Sequence, residues 1–245
     1  VRVCVTGQHR DMLNDALTAF DIVPDFDLGV MTKDTSLNAL HSRIVSSVSN
    51  VIDQLKPDIV LVHGDTASTL SAALAAFNLQ VPIGHVEAGL RTGNLRSPWP
   101  EEGYRSLVAQ ISNYNFAPTK SSKDNLIAEG ITQEKIFVTG NTVIDAVKFI
   151  KAKMNKIENY SIQGLEHHIK SYKPYILVTG HRRENLSGGL KSVCNALIDV
   201  LAHSQKHQVI FPVHLNPTVK DQVNNILGNT HRVHLIPPVQ YEAFC

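Results

Sequence analysis

The chain has 245 residues, 43% hydrophobic and 18% charged, the balance of a globular protein with one or two cores rather than a disordered or fibrous one. A formal net charge of +1 leaves no broad basic surface for nucleic acid and no acidic tail, and no apolar run approaches the roughly 20 residues of a membrane span. The three cysteines, Cys4, Cys194 and Cys245, are odd in number and form no close-spaced metal pattern, which argues for a reducing compartment over a disulfide framework. Cys4 and Cys194 lie in apolar stretches and read as small core residues.

The chain opens without Met in the strand-like "VRVCVTG" and stops at "YEAFC", as an internal piece of a longer protein would. "DIVLVHG" (58–64) reads as a strand, "TASTLSAALAAF" as a helix, and "VPIGHVEAG" (81–89) as the next strand. "SLVAQISNYNFAP" and "NLIAEG" follow, then the strand "KIFVTGN" (135–141) and a helix through "TVIDAVKFIKAKM". The alternation resumes with "PYILVTG" (174–180), a helix through "LKSVCNALIDVLAHS", "QVIFPVH" (208–214), a helix near "VKDQVNNILG", and "RVHLIPP" (232–238). Short β-branched runs separated by helices predict buried parallel strands, hence a doubly wound α/β class.

Residues 151–173 form the most polar stretch and predict a boundary: an N-terminal Rossmann-like domain over 1–155, a linker over 156–173, and a C-terminal domain over 174–245. Two such domains are expected to face a cleft. In open α/β sheets ligands bind outside the carboxyl ends of the strands, so chemistry is expected there.

The predicted strand ends carry ionisable groups. "VHGDT" holds His63 and Asp65; "HVEAGLRTG" holds His85, Glu87 and Arg91; the loop "NLRSPWPEEGYR" holds Glu101, Glu102 and Arg105. Asp65 could simply cap a helix, and Pro100-Glu101-Glu102 could be an ordinary first turn with carboxylates at the positive end of the helix dipole. His63 and His85 could be satisfied core histidines. Glu87, inside an apolar run, is harder to explain structurally, because burying an unpaired carboxylate is costly. Taken together, three carboxylates at one cleft can be pushed to different pKa values, so that one removes a proton while another donates one.

The second half supplies positive charge. "TGHRREN" (179–185) leads toward "LSGGLKS", where a helix N-terminus, glycines, a histidine and two arginines suit a phosphate or diphosphate. There is no Walker loop and no G-x-G-x-x-G fingerprint, which disfavours a nicotinamide cofactor. The residues alone imply acid–base chemistry on a molecule bearing a diphosphate.

"LVHGDT", "GHVEAGLRTG", "SPWPEE", "TGNTVIDA", "TGHRREN" and "PVHLNP", in this order, resemble the bacterial non-hydrolysing UDP-N-acetylglucosamine 2-epimerases across essentially the whole chain. The resemblance implies two glycosyltransferase-B-like domains and interconversion of UDP-GlcNAc and UDP-ManNAc. UDP would leave to give 2-acetamidoglucal and then be re-added, with no cofactor and no metal. It implies Asp65, Glu87, Glu101 and His181 as catalytic residues, and His181, Arg182, Glu184 and Asn185 as the UDP-binding loop. It also implies allosteric activation by UDP-GlcNAc, with Gln8, Arg10, Glu102 and His214 as candidate contacts, in a cytoplasmic homodimer. Asp11 stands where the family often has Gln or Glu, a departure at the allosteric loop. The family's first strand with its "GTRPEA"-like loop, and its later "TDSGG-x-QEE" stretch, have no counterpart here, so the first domain is expected to lack a strand and the second to be partial. The alternatives are a UDP-sugar glycosyltransferase of the same fold, a hydrolysing 2-epimerase, or a UDP-sugar-binding module.

Overall fold

The computed structural model describes residues 1–8, 10–32, 36–155, 174–179 and 189–245. It divides into two compact units, Val1–Ile150 and Lys151–Cys245. The expected linker over 156–173 lies outside the described residues.

Among the described residues nine strands alternate with helices, and every strand pair is parallel. In the first unit β1 (Cys4–Val5) pairs with β2 (Phe26–Asp27) as a separate ribbon, and β3 (Val60–His63), β4 (Ile83–Val86), β5 (Tyr114–Ala117) and β6 (Ile136–Val138) form a sheet in that order. The helices are α1 (Arg10–Ala19), α2 (Leu37–Leu55), α3 (Ala67–Asn78), α4 (Glu101–Ile111), α5 (Lys120–Ala128) and α6 (Thr142–Met154). In the second unit β7 (Tyr175–Leu177), β8 (Gln208–Pro212) and β9 (Val233–Ile236) form a sheet, with α7 (Gly189–His203), α8 (Pro217–Leu227) and the short α9 (Tyr241–Phe244).

Residue spacing explains the cores. On α2, Leu40, Ile44, Val48 and Ile52 recur every fourth residue and are all buried, so one apolar stripe seats the helix. Ser36 caps its start, accepting from Ala39 N at 3.3 Å. Against this stripe packs α3, whose Ala73, Ala75 and Ala76 are fully buried; small side chains let the two helices approach closely. In the second unit Leu190, Cys194, Leu197 and Leu201 of α7, with Val219, Val223 and Leu227 of α8, cover Val209 and Phe211 of β8. Cys194 is thus a core residue, as its sequence context predicts. Cys4 is not: it is exposed, because it lies on the two-stranded ribbon, too narrow to bury both faces.

Because β3 to β6 all run the same way, their carboxyl ends meet at one edge of the sheet. That edge carries the polar residues singled out above.

Candidate active site

The β3–α3 turn places Asp65. The register pairs His63 with Val86, and Gly64 N donates to Val86 O at 3.0 Å, so Asp65 and Glu87 emerge side by side. Gly64 has φ +71°, which glycine adopts without strain, and it turns the chain beside Glu87. Asp65 does not cap α3. Thr66 does, accepting from Thr69 N at 3.3 Å, which leaves the Asp65 carboxylate for the site.

Glu87 itself sits at φ +66°, a left-handed conformation that costs a side-chain-bearing residue about 1–3 kcal/mol. The turn begins one residue after Val86 and keeps the half-buried carboxylate at the sheet edge. Asn141 Nδ2, beyond β6, donates to Glu87 Oε1 at 3.2 Å, and His63 Nε2 lies 3.9 Å from Glu87 Oε2. Asn141 Oδ1 in turn accepts from Val143 N at 2.9 Å, tying the start of α6 to the same cluster.

Glu101 and Glu102 form the first turn of α4, as the Pro-Glu-Glu spacing predicts, and they diverge in role. Glu102 is 2% exposed; its Oε1 accepts from Thr92 N at 2.9 Å and Gly93 N at 3.0 Å, so it anchors the loop after β4. Its Oε2 lies 3.2 Å from Arg105 Nε, which is also 3.4 Å from Asp65 Oδ2. The Arg105 N–H makes no hydrogen bond to either carboxylate, so the attraction is ionic. Glu101 reaches the same cluster: burial raises the Asp65 pKa first, the charges of Glu87 and Glu101 raise it further, and Arg105 and His63 oppose them. Arg105 therefore faces Asp65 and Glu102, and the charges of Glu87 and Glu101 are felt at Asp65.

The loop between β4 and α4 is fixed from several sides. Arg91 makes a two-pronged pair with Glu129, at 2.6 and 2.7 Å. Gly89, at φ +88°, packs so closely on α5 that a Cβ would meet Ser122 O at 2.2 Å, and Asn125 Nδ2 donates to Gly89 O at 2.9 Å. His85 is fully buried in the core but only half satisfied: Nε2 bonds Gly64 O at 2.8 Å, Nδ1 has no hydrogen-bond partner among the described residues, and desolvation lowers its pKa to about 4.

Gln8 reaches the helix that follows Asp65. Its Oε1 accepts from Ser68 N at 3.2 Å and Ser68 Oγ at 2.7 Å in the first turn of α3. Arg10 is the first residue of α1. His214 belongs to the second unit, where its exposed ring accepts from Asn216 N at 3.0 Å before α8. His181, Arg182, Glu184 and Asn185 lie outside the described residues.

Arg105 and Asn141 complete the cluster without having been assigned a role from the sequence. Arg105 follows Glu101 by one helical turn, and Asn141 follows the fourth strand of the sheet. Asn141 stands in "TGNT" at a predicted strand end, where its residue type alone suggests no role; the arginine's inward direction depends on packing.

Parallel α/β units with neighbouring carboxylates at the strand ends, one of them beside a buried arginine, define a Rossmann-like protein with groups suited to acid–base chemistry. All of residues 1–245 match the family model for UDP-N-acetylglucosamine 2-epimerase, and the chain belongs to that family. The UDP-N-acetylglucosamine 2-epimerase of Salmonella typhimurium is 47% identical over 245 residues, covering 99% of this chain and 65% of the relative, so the chain spans just under two thirds of that relative's length. The crystal structure of UDP-GlcNAc 2-epimerase from Neisseria meningitidis bound to UDP-GlcNAc superposes with a TM-score of 0.89 at 43% identity, over 99% of this chain and 66% of that one. That of the Methanocaldococcus jannaschii enzyme in complex with UDP-GlcNAc and UDP gives 0.76 at 30% identity, over 98% and 66%.

Proposed function

We propose that the protein interconverts UDP-N-acetylglucosamine and UDP-N-acetylmannosamine by inverting carbon 2 of the sugar. The observation that carries this reading is the meeting of Asp65 and Glu87 at one sheet edge, with Arg105 beside Asp65 and the Glu101 charge felt there. One carboxylate removes the proton at carbon 2 while the C1–O bond to UDP breaks in the anti sense, giving 2-acetamidoglucal and UDP. A proton is then delivered to the opposite face of carbon 2, and UDP adds back at carbon 1. The hydrogen at carbon 2 is only weakly acidic, so the base must be placed and the leaving diphosphate stabilised. Burial makes Asp65 a stronger base when ionised and a usable acid nearer neutrality. Asn141 orients Glu87 through its Oε1.

His181, Arg182, Glu184 and Asn185 are assigned to the departing UDP. The bound UDP-GlcNAc and UDP of the related crystal structures favour this substrate class. Gln8, Arg10, Glu102 and His214 are assigned to an activating second UDP-GlcNAc. For Glu102, buried and bonded to the 92–93 backbone, that role acts through the loop it holds. We place the protein in the cytoplasm as a homodimer; no helix among the described residues is long and apolar enough to cross a membrane.

Deuterium decides the chemistry. UDP-ManNAc made from UDP-GlcNAc in D₂O by the full-length protein is expected to carry deuterium at carbon 2. Full retention of the original hydrogen refutes proton exchange. Free sugar with UDP identifies a hydrolysing enzyme, and slow hydrolysis without UDP-ManNAc identifies a transferase.

A further inference from the structure

We propose that Tyr104 is a positioning residue for Glu101, aimed by a directed hydrogen-bond relay, Ser71 to His41 to Tyr104, that joins α3, α2 and α4. What Glu101 does rests on the epimerase reading above; the direction of the relay does not.

The relay is built from two short contacts. His41 Nδ1 lies 2.6 Å from Ser71 Oγ, and His41 Nε2 lies 2.7 Å from the Tyr104 hydroxyl. The two rings meet edge to face, with centroids 5.0 Å apart and planes at 88°. Ser71 is fully buried. Ser49 and Ser106, by contrast, return their hydroxyls to the carbonyls of Val45 and Glu102, four residues earlier. Ser71 instead meets the imidazole.

Proton counting gives the relay its direction. A hydroxyl sealed from water donates its one hydrogen to the acceptor it has, here the Nδ1 lone pair. Desolvation holds the His41 pKa below its ordinary value, so the ring is neutral near pH 7 and carries a single N–H. With Nδ1 accepting, that hydrogen sits on Nε2 and is donated to the Tyr104 oxygen. The phenol oxygen is then the acceptor in this contact, and its own O–H points away from His41.

Glu101 stands one turn earlier on α4, at the i, i+3 spacing that puts two side chains on one face. Burial raises the phenol's pKa, and the Glu101 charge raises it further, so the two groups are electrostatically coupled. A phenol O–H donated to one Glu101 oxygen would fix the carboxylate's rotation and leave the other oxygen for substrate.

The test combines a tautomer, a kinetic split and a rescue in the full-length protein. Nitrogen-15 NMR of labelled histidines, with His41 assigned through His41→Gln, is expected to show Nε2 protonated and Nδ1 bare. Tyr104→Phe keeps the ring and is expected to remain folded while lowering kcat about tenfold, the lower range for a lost hydrogen bond to a charged group, with KM within twofold. His41→Gln, which keeps a donor near the Nε2 position, is expected to recover most of kcat, and His41→Leu to match Tyr104→Phe. An Nδ1-protonated ring, a Tyr104→Phe kcat within twofold of wild type, or equal losses in His41→Gln and His41→Leu would overturn the proposal. If the wild-type protein does not convert UDP-GlcNAc, the epimerase reading fails separately and the tautomer alone decides the relay.

Discussion

Lowering the pH should unload the first unit through one buried ring. His85 is fully buried in β4, and desolvation, helped by the charges of Arg91 and His63, lowers its pKa to about 4 from an ordinary value of 6.5. The sign follows from proton counting. Between about pH 6.5 and pH 4 the unfolded chain binds the proton and the native chain does not, so stability rises with pH across that window. The contribution is fully present above 6.5 and is lost as pH falls through about 4. The drop from 6.5 to about 4 makes this on the order of 3 kcal/mol, with a limiting slope of about 1.4 kcal/mol per pH unit near pH 5. The assay is urea unfolding at pH 4.5, 5.5, 6.5 and 7.5, followed by the fluorescence of Trp99, the single tryptophan, which lies in the same unit. His85→Asn, which cannot titrate, should flatten the pH dependence by about 2–3 kcal/mol across the range. Superimposable pH curves for wild type and His85→Asn would refute the reasoning.

Three further outcomes are expected. Glu87→Gln keeps the shape of the side chain and removes its charge, and should lower full-length turnover at least about 100-fold, the lower end for a general acid or base; near-normal turnover removes Glu87 from the mechanism. Arg105→Met leaves the 2%-exposed Glu102 carboxylate without its cation and should cost roughly 3 kcal/mol in urea unfolding, the lower range for breaking a buried pair; a loss below about 1 kcal/mol shows that the pair is solvent-screened. Gly89→Ala combines φ +88° with a Cβ 2.2 Å from Ser122 O, and should cost about 3 kcal/mol or more; an unchanged unfolding midpoint shows that the loop relaxes freely.

Much of the fold was legible in the chain. Apolar runs at 58–64, 81–89 and 208–214 predicted parallel strands because β-branched clusters between helical patterns have few other uses, and β3, β4 and β8 lie within them. The short β2 escaped notice, since the two residues Phe26 and Asp27 carry no periodicity. Cys4 was misread because an alternating pattern shows which residues share a face but not whether anything covers that face.

The candidate site divides the same way. That Asp65 and Glu87 follow strands is written in the sequence, and a parallel sheet then brings them to one edge, since every strand ends on the same side. Composition could not tell Glu101 from its neighbour Glu102. Adjacent helical residues point about 100° apart, and only the packing of α4 decides that Glu102 turns inward onto Thr92, Gly93 and Arg105. Nor could it reveal that His41, Ser71 and Tyr104, separated by 30 and 63 positions, share two hydrogen bonds. Residue type and local spacing act along the chain and survive in one dimension. Side-chain direction and burial arise from helices docking across tens of residues, and they exist only once the chain has folded.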